Sequence, residues 1–258
     1  MKCISKALSL ILVIAAIESI LFVNTAAAAN TIVQFDVMGI QGPNGPTSSF
    51  QVELFDSQTP ITVANFLSYV GNHAYDNSII HRNVKDYFVQ GGGTKLAGPD
   101  TEASPTPSPV TPIASYPSIQ NEPGISNLRG TIAMARTSNP NSAASQWFFN
   151  MRDNTYLDYP NDPNGWTVFG RVLGSGMSVL DEINNTPTYD ITANYSTSGP
   201  YFRETPLFQD TSNNRFFITL SSVNVVPEPS TLTLLAACSL SMIAFIRRRH
   251  KSAIETKA

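Results

Sequence analysis

Two periods run through the hydrophobic positions of this chain. Thr31 to Val37 and Phe50 to Phe55 alternate apolar and polar residues, which predicts half-buried strands, and Gly42-Pro43-Asn44-Gly45-Pro46 predicts a turn or loop between them. Thr59-Pro60 suits a helix N-cap followed by proline in the first turn, and Val63, Phe66, Leu67 and Val70 then form a helical stripe ending at Gly71. A second stripe, Met177, Val179, Leu180 and Ile183, predicts a helix from Gly176 to Asn185. Alternation returns at Phe216, Ile218, Leu220 and Val223, the last predicted strand, after a stretch from Thr186 to Asn214 that reads as a polar connection. Between residues 95 and 121, Pro105, Pro107, Pro109, Pro112 and Pro117 stand among Ser and Thr, which predicts an extended surface loop, either a loosely packed insertion or a ligand for another protein.

One stretch breaks the plain core pattern. His81-Arg82-Asn83-Val84-Lys85-Asp86-Tyr87-Phe88-Val89-Gln90 sets a cation and an amide among aromatic and aliphatic residues and runs into Gly91-Gly92-Gly93. With short strands over Ile79 to Arg82 and Phe88 to Gln90, Phe88 and Gln90 turn to one face and Val89 to the other. Arg82, Phe88 and Gln90 then share a wall; the alternative is a solvated Arg beside an ordinary buried strand. Further motifs follow at Gly130 to Arg136, Ser145 to Asn150, Tyr156-Leu157-Asp158 and Trp166 to Gly170. The loop from Tyr159 to Gly165, rich in Pro, Asn and Asp, directly precedes Trp166 and is placed to edge a groove.

In their order and spacing these pieces resemble the cyclophilins, a family of peptidyl-prolyl cis-trans isomerases, over roughly Thr31 to Val225. The resemblance is carried by Thr62-Val63-Ala64-Asn65-Phe66, His81-Arg82, Gln90-Gly91-Gly92, Met134-Ala135-Arg136, Ser145-Gln146 with Phe148, and Val168-Phe169-Gly170. It implies a mainly β fold, a closed eight-stranded antiparallel barrel capped by two helices, over a domain of residues 30–225 with 95–121 as an insertion. It implies Arg82 as the catalytic cation, with Gln90 holding the substrate backbone and supporting the arginine. The proline ring would sit on Phe88, Phe148 and Leu157 with Tyr87 beside them. Ala135 and Arg136 would supply backbone contacts, Gln146 the floor, and Tyr156 and Trp166 the rim. No cofactor or metal is implied. The chain departs from the family pattern at Val84-Lys85-Asp86, where an Ile-Pro-Gly-like segment is usual, at Tyr87-Phe88, where Phe and Met are common, and at Trp166, His in many eukaryotic relatives. Arg136 and the following Thr-Ser-Asn-Pro match the bacterial form. The implied activity is rotation about Xaa-Pro bonds of unfolded or exported proteins; the competing reading is a module that binds proline-containing peptides with weak catalysis, an adhesion device at the surface or in a matrix.

Composition narrows the partners. Residues 30 to 229 hold nine Lys and Arg against seventeen Asp and Glu, so the body is acidic and nucleic acid is an unsuitable partner. Lys2 and Lys6, the apolar run from Ala7 to Val23 and the small residues Ala26 to Ala29 have the layout of a signal peptide over 1–29, an uncleaved anchor being the alternative. At the other end Pro227-Glu228-Pro229 precedes an apolar run from Leu232 to Ile246 and the basic cluster Arg247 to Lys251. This pattern over 226–258 is similar to the PEP-CTERM sorting signal of Gram-negative bacteria, which implies contact with the membrane and an exosortase-type processing enzyme; a single-span tail anchor is the other reading. Either way the expectation is an exported monomer in the envelope or extracellular matrix. Cys3 and Cys238 lie in these end segments, so disulfides have no part in the expected domain. His73, His81 and His250 lack metal-ligand spacing, and the absence of a Gly-x-Ser-x-Gly elbow argues against a serine hydrolase.

Overall fold

The computed structural model describes residues 29–40, 47–98, 110–195, 202–209 and 215–227. The leader and sorting signal expected from the sequence, and both cysteines, lie outside these residues, save for Ala29, Val226 and Pro227. Among the described residues no helix is long and apolar enough to cross a membrane.

Strands β1 (Ile32–Met38) and β2 (Thr47–Leu54) pair antiparallel in unbroken register, Ile32 opposite Glu53 and Met38 opposite Thr47. Val33, Phe35 and Val37 turn inward, as alternation requires. Phe35 is the hub of the core. It stacks on Phe50 at 5.1 Å and meets Trp147 and Phe149 edge-on at 5.5 and 5.6 Å, the geometries that aromatic quadrupoles favour.

Helix α1 (Pro60–Gly71) adds Val63, Phe66, Tyr69 and Val70 to that core. Its cap is not the one its sequence predicts. Thr59 makes no side-chain bond to the first turn; its hydroxyl donates backwards to the Phe55 carbonyl at 3.3 Å. The orphan amides of Ile61 and Thr62 donate instead to the carboxylate of Glu122, at 3.2 and 2.8 Å, where a negative charge also suits the helix dipole. Helix α2 (Gly176–Asn185) has the predicted bounds and buries Val179, Leu180 and Ile183.

The remaining strands are short: β3 (Ser78–Ile79), β4 (Arg82–Val84), β5 (Phe88–Gly91), β6 (Thr94–Leu96), β7 (Val110–Pro112), β8 (Thr131–Met134), β9 (Trp147–Asn150), β10 (Val168–Val172), β11 (Thr188–Tyr189), β12 (Thr205–Gln209), β13 (Arg215–Phe217) and β14 (Thr219–Val225). Strand β14 pairs antiparallel with β1. The closed eight-stranded barrel is not found. Among the described residues the main sheet has eleven strands in the order β4-β5-β9-β8-β10-β2-β1-β14-β3-β6-β7, a curled antiparallel half-barrel with β4 and β7 at its margins. The physical cause is local, at His81. The same extended stretch lays β3 on β14 and β4 on β5: the Ile80 amide still bonds the Ile218 carbonyl, one step beyond Ile79 opposite Thr219, and then the His81 carbonyl leaves the ladder for the Thr205 hydroxyl. Outside β4, the Asn83 amide donates to the Glu204 carbonyl at 2.7 Å.

Two predicted loops also hold more structure than expected. The stretch 186–214 contributes β11 and β12, which with β13 form a second sheet over a small core of Ile79, Tyr195, Phe202, Leu207 and Phe217. Its apolar residues are spaced too irregularly for either period. In the proline-rich stretch, β6 and β7 pair, Ile113 is buried, and the Tyr116 amide donates to the Tyr69 hydroxyl at 2.7 Å; residues 99–109 are not described.

Candidate active site

Register across four strands builds one wall. Arg82 of β4 lies opposite Gln90 of β5, Gln90 opposite Phe148 of β9, and Phe148 opposite Ala133 of β8. Residues in such a row share a face of the sheet, and Phe88, two positions from Gln90, joins them. The intervening row, with Val89 and Phe149, turns into the main core. Phe88, Ala133, Phe148, Leu157 and Val168 instead make a separate apolar cluster, edged by Tyr87, Ala135 and Trp166.

A groove of about 820 Å³ opens on this wall. All the residues singled out from the sequence line it except Tyr156, which is exposed outside with its ring 5.9 Å from that of Tyr87. The Arg82 guanidinium carbon lies 4.9 Å from the centroid of Phe88, so cation and apolar floor are adjacent. Gln90 does not support the arginine as the resemblance implies. Its amide nitrogen donates to Gln146 Oε1 at 2.9 Å, while Arg82 Nε donates to Glu204 Oε2 at 2.7 Å.

The rest of the rim is tied down by the loop before Trp166. Asp162 accepts from Arg136 Nη2 at 3.2 Å and from Trp166 Nε1 at 3.0 Å, and Arg136 Nη2 also donates to the Gly165 carbonyl at 3.0 Å. The Arg136 head therefore builds the wall. Of the Ala135 backbone, expected to contact substrate, the amide is bonded to the Gln146 carbonyl at 2.9 Å. Hydrogen bonds, the Asn164 amide first, hold the Asp162 carboxyl below its usual range.

His81, Arg203 and Glu204 are features that sequence reasoning missed. His81 is buried beside Gln146, both side chains packing against Gly93. Burial first, and then the Arg82 charge, push its imidazole down to about 4 against the opposing pull of bonds to Gln146 and Ile79, so it is neutral at pH 7. The His81-Arg82 dipeptide was its only signal. Arg203 and Glu204 come from the stretch read as a polar connection, where an isolated Arg-Glu pair carries no pattern.

In Val84-Lys85-Asp86, the departure closest to Arg82, Val84 packs against the apolar cluster under the groove, and the two charged residues turn to α2. Lys85 bonds Asn185, the Asp86 amide donates to Asn184 Oδ1 at 2.9 Å, and Asn184 reaches Asn83 Oδ1 at 2.6 Å, so α2 holds the turn. Asp86 takes a positive φ of 54°, which Asp tolerates. Among the described residues no cluster of His, Cys, Asp or Glu could hold a metal ion.

Comparison with known proteins agrees with this geometry. Residues 41–198 match the family model described as cyclophilin type peptidyl-prolyl cis-trans isomerase/CLD. The chain is 38% identical over 168 residues to a peptidyl-prolyl cis-trans isomerase of Acinetobacter baylyi, covering 65% of this chain and 79% of that protein. It is 37% identical over 140 residues to peptidyl-prolyl cis-trans isomerase B of Escherichia coli, covering 53% and 79%. Among solved structures, a cyclophilin type peptidyl-prolyl cis-trans isomerase of Cryptosporidium parvum matches in fold with a TM-score of 0.52 at 19% identity, covering 78% of this chain and 99% of that one. The same Cryptosporidium protein crystallised in the presence of the dipeptide Ala-Pro matches with a TM-score of 0.51.

Proposed function

The chain belongs to the family of cyclophilin-type peptidyl-prolyl cis-trans isomerases, and from that premise we propose that Arg82 is its catalytic group and that its substrates are Xaa-Pro bonds of exported, unfolded proteins. The single observation that carries the reading is the Arg82 guanidinium lying over Phe88 at the edge of an apolar floor.

A prolyl peptide bond resists rotation because its nitrogen donates a lone pair into the carbonyl, at a barrier of about 18 to 20 kcal/mol. At the twisted transition state that nitrogen pyramidalises and becomes a hydrogen-bond acceptor. A guanidinium beside it binds the transition state more strongly than the planar ground state, and this differential binding is the catalysis. Arg suits the task because it stays charged and carries its donors in a fixed plane. Phe88, Phe148 and Leu157 hold the proline ring while the preceding carbonyl swings, and Gln90 and Gln146, joined to each other, offer amide groups to the substrate backbone. Against an uncatalysed exchange of tens to hundreds of seconds, an ordinary turnover requires about 4 to 7 kcal/mol off the barrier. A few pre-aimed hydrogen bonds beside an apolar floor supply that amount.

The end segments support an exported protein, processed after Ala29 and carried to the envelope or matrix by a C-terminal sorting signal that an exosortase-type enzyme recognises. Mass spectrometry of the mature protein tests this part: the N-terminus should be Asn30, and an intact leader on a cytosolic chain would contradict it. A protease-coupled or NMR exchange assay with Xaa-Pro peptides tests the activity. Acceleration is expected; peptide binding without acceleration would replace the enzyme with a binding module.

A further inference from the structure

Reading Arg82 as the catalytic group leaves open what aims it. Gln90 is engaged with Gln146. The grip comes instead from the segment that leads into β12. Glu204 Oε2 accepts from Arg82 Nε at 2.7 Å, the Glu204 carbonyl accepts from the Asn83 amide at 2.7 Å, and Thr205 Oγ1 donates to the His81 carbonyl at 3.0 Å. Two consecutive residues thus tie three consecutive residues, with Arg82 at the centre. Their own anchorage is firm. Thr205 and Leu207 are buried, β12 is paired on both sides by β11 and β13, and the small core beneath includes Ile79, three residues before Arg82.

We propose that Glu204 is the positioning residue for Arg82 and that the β11-β12-β13 sheet is the brace that carries it. The proposal rests on the isomerase reading above. A carboxylate on Nε fixes the guanidinium plane and leaves the Nη nitrogens as the donors of a side chain that lines the groove. The two side chains are 39% and 41% exposed, so the pair adds little to folding stability; its value is orientation set before the transition state forms.

The test compares kcat and KM of the full chain with Glu204→Ala, Glu204→Gln and Arg82→Ala on one Xaa-Pro peptide, together with the NMR signal of the Arg82 Nε–H. Glu204→Ala should lower kcat by about tenfold and KM should stay within about twofold, because aim is lost and the apolar floor is intact. Glu204→Gln, which keeps an acceptor oxygen, should restore most of the rate. The Nε–H signal should be sharp and slow to exchange in the native protein and in Glu204→Gln, and lost in Glu204→Ala. If Arg82→Ala is inactive while Glu204→Ala is as fast as the native enzyme or faster, the proposal alone is overturned, a faster variant marking the carboxylate as a competitor for the arginine. If Arg82→Ala is fully active, the catalytic assignment of Arg82 falls and takes the proposal with it. Should the alanine variant fail to fold, rapid exchange of Arg82 Nε–H in the native protein would overturn the proposal.

Discussion

The guanidinium carbon of Arg136 lies 4.4 Å from the ring centroid of Trp166, and Asp162 is hydrogen-bonded to both. This arrangement makes the loop rim a fixed wall of the groove. The Arg136 side chain is only 4% exposed, so its carboxylate partner compensates a largely desolvated charge. Asp162→Ala should therefore lower stability by about 2 kcal/mol in urea denaturation. It should also raise KM several-fold with a smaller change in kcat, since the wall meets substrate and transition state alike.

His81 predicts a pH dependence. A histidine near 6.5 when unfolded and about 4 when folded binds more protons in the unfolded chain between those values. Stability from this group is thus complete above pH 6.5 and falls as pH drops toward 4, by about 3 kcal/mol in all. Urea midpoints measured from pH 7 to 4 should show the slope, and His81→Gln should flatten it.

Gly92 stands at φ +78°, and a Cβ there would lie 2.5 Å from the Ser145 carbonyl oxygen and 2.8 Å from Trp147 Nε1. Trp147 is fully buried and cannot yield. Gly92→Ala combines left-handed strain with overpacking and should cost about 2 to 4 kcal/mol, read from the denaturation midpoint.

Glu122→Ala removes the acceptor for the first amides of α1. A loss of about 1 kcal/mol is expected, as for a conventional cap, whereas Thr59→Val should cost less because its hydroxyl does not cap the helix.

The elements with a clean period were readable from the sequence: α1 and α2 stand where their stripes place them, and β14 closes on β1. The site was readable because strand alternation and the family motifs both converge on the row Arg82, Gln90 and Phe148. What escaped was long-range and patternless. Thr59 has the composition of a cap, but Glu122, far along the chain, holds the better-placed charge. Glu204 sits in a polar stretch whose few apolar residues make a core only after β12 meets β13. The closed barrel failed for a local reason, since the pairing on β14 runs only to Ile80 and the next carbonyl, that of His81, is taken by the Thr205 hydroxyl.

The most direct test of the central claim compares Arg82→Ala with the native protein for both peptide affinity and exchange rate. Loss of a cation that acts at the twisted nitrogen should lower kcat by about a hundredfold or more while the Kd for a proline peptide changes only a few-fold. A variant that loses affinity and rate in equal measure would make Arg82 a binding residue, and a variant that keeps its full rate would place the catalysis elsewhere.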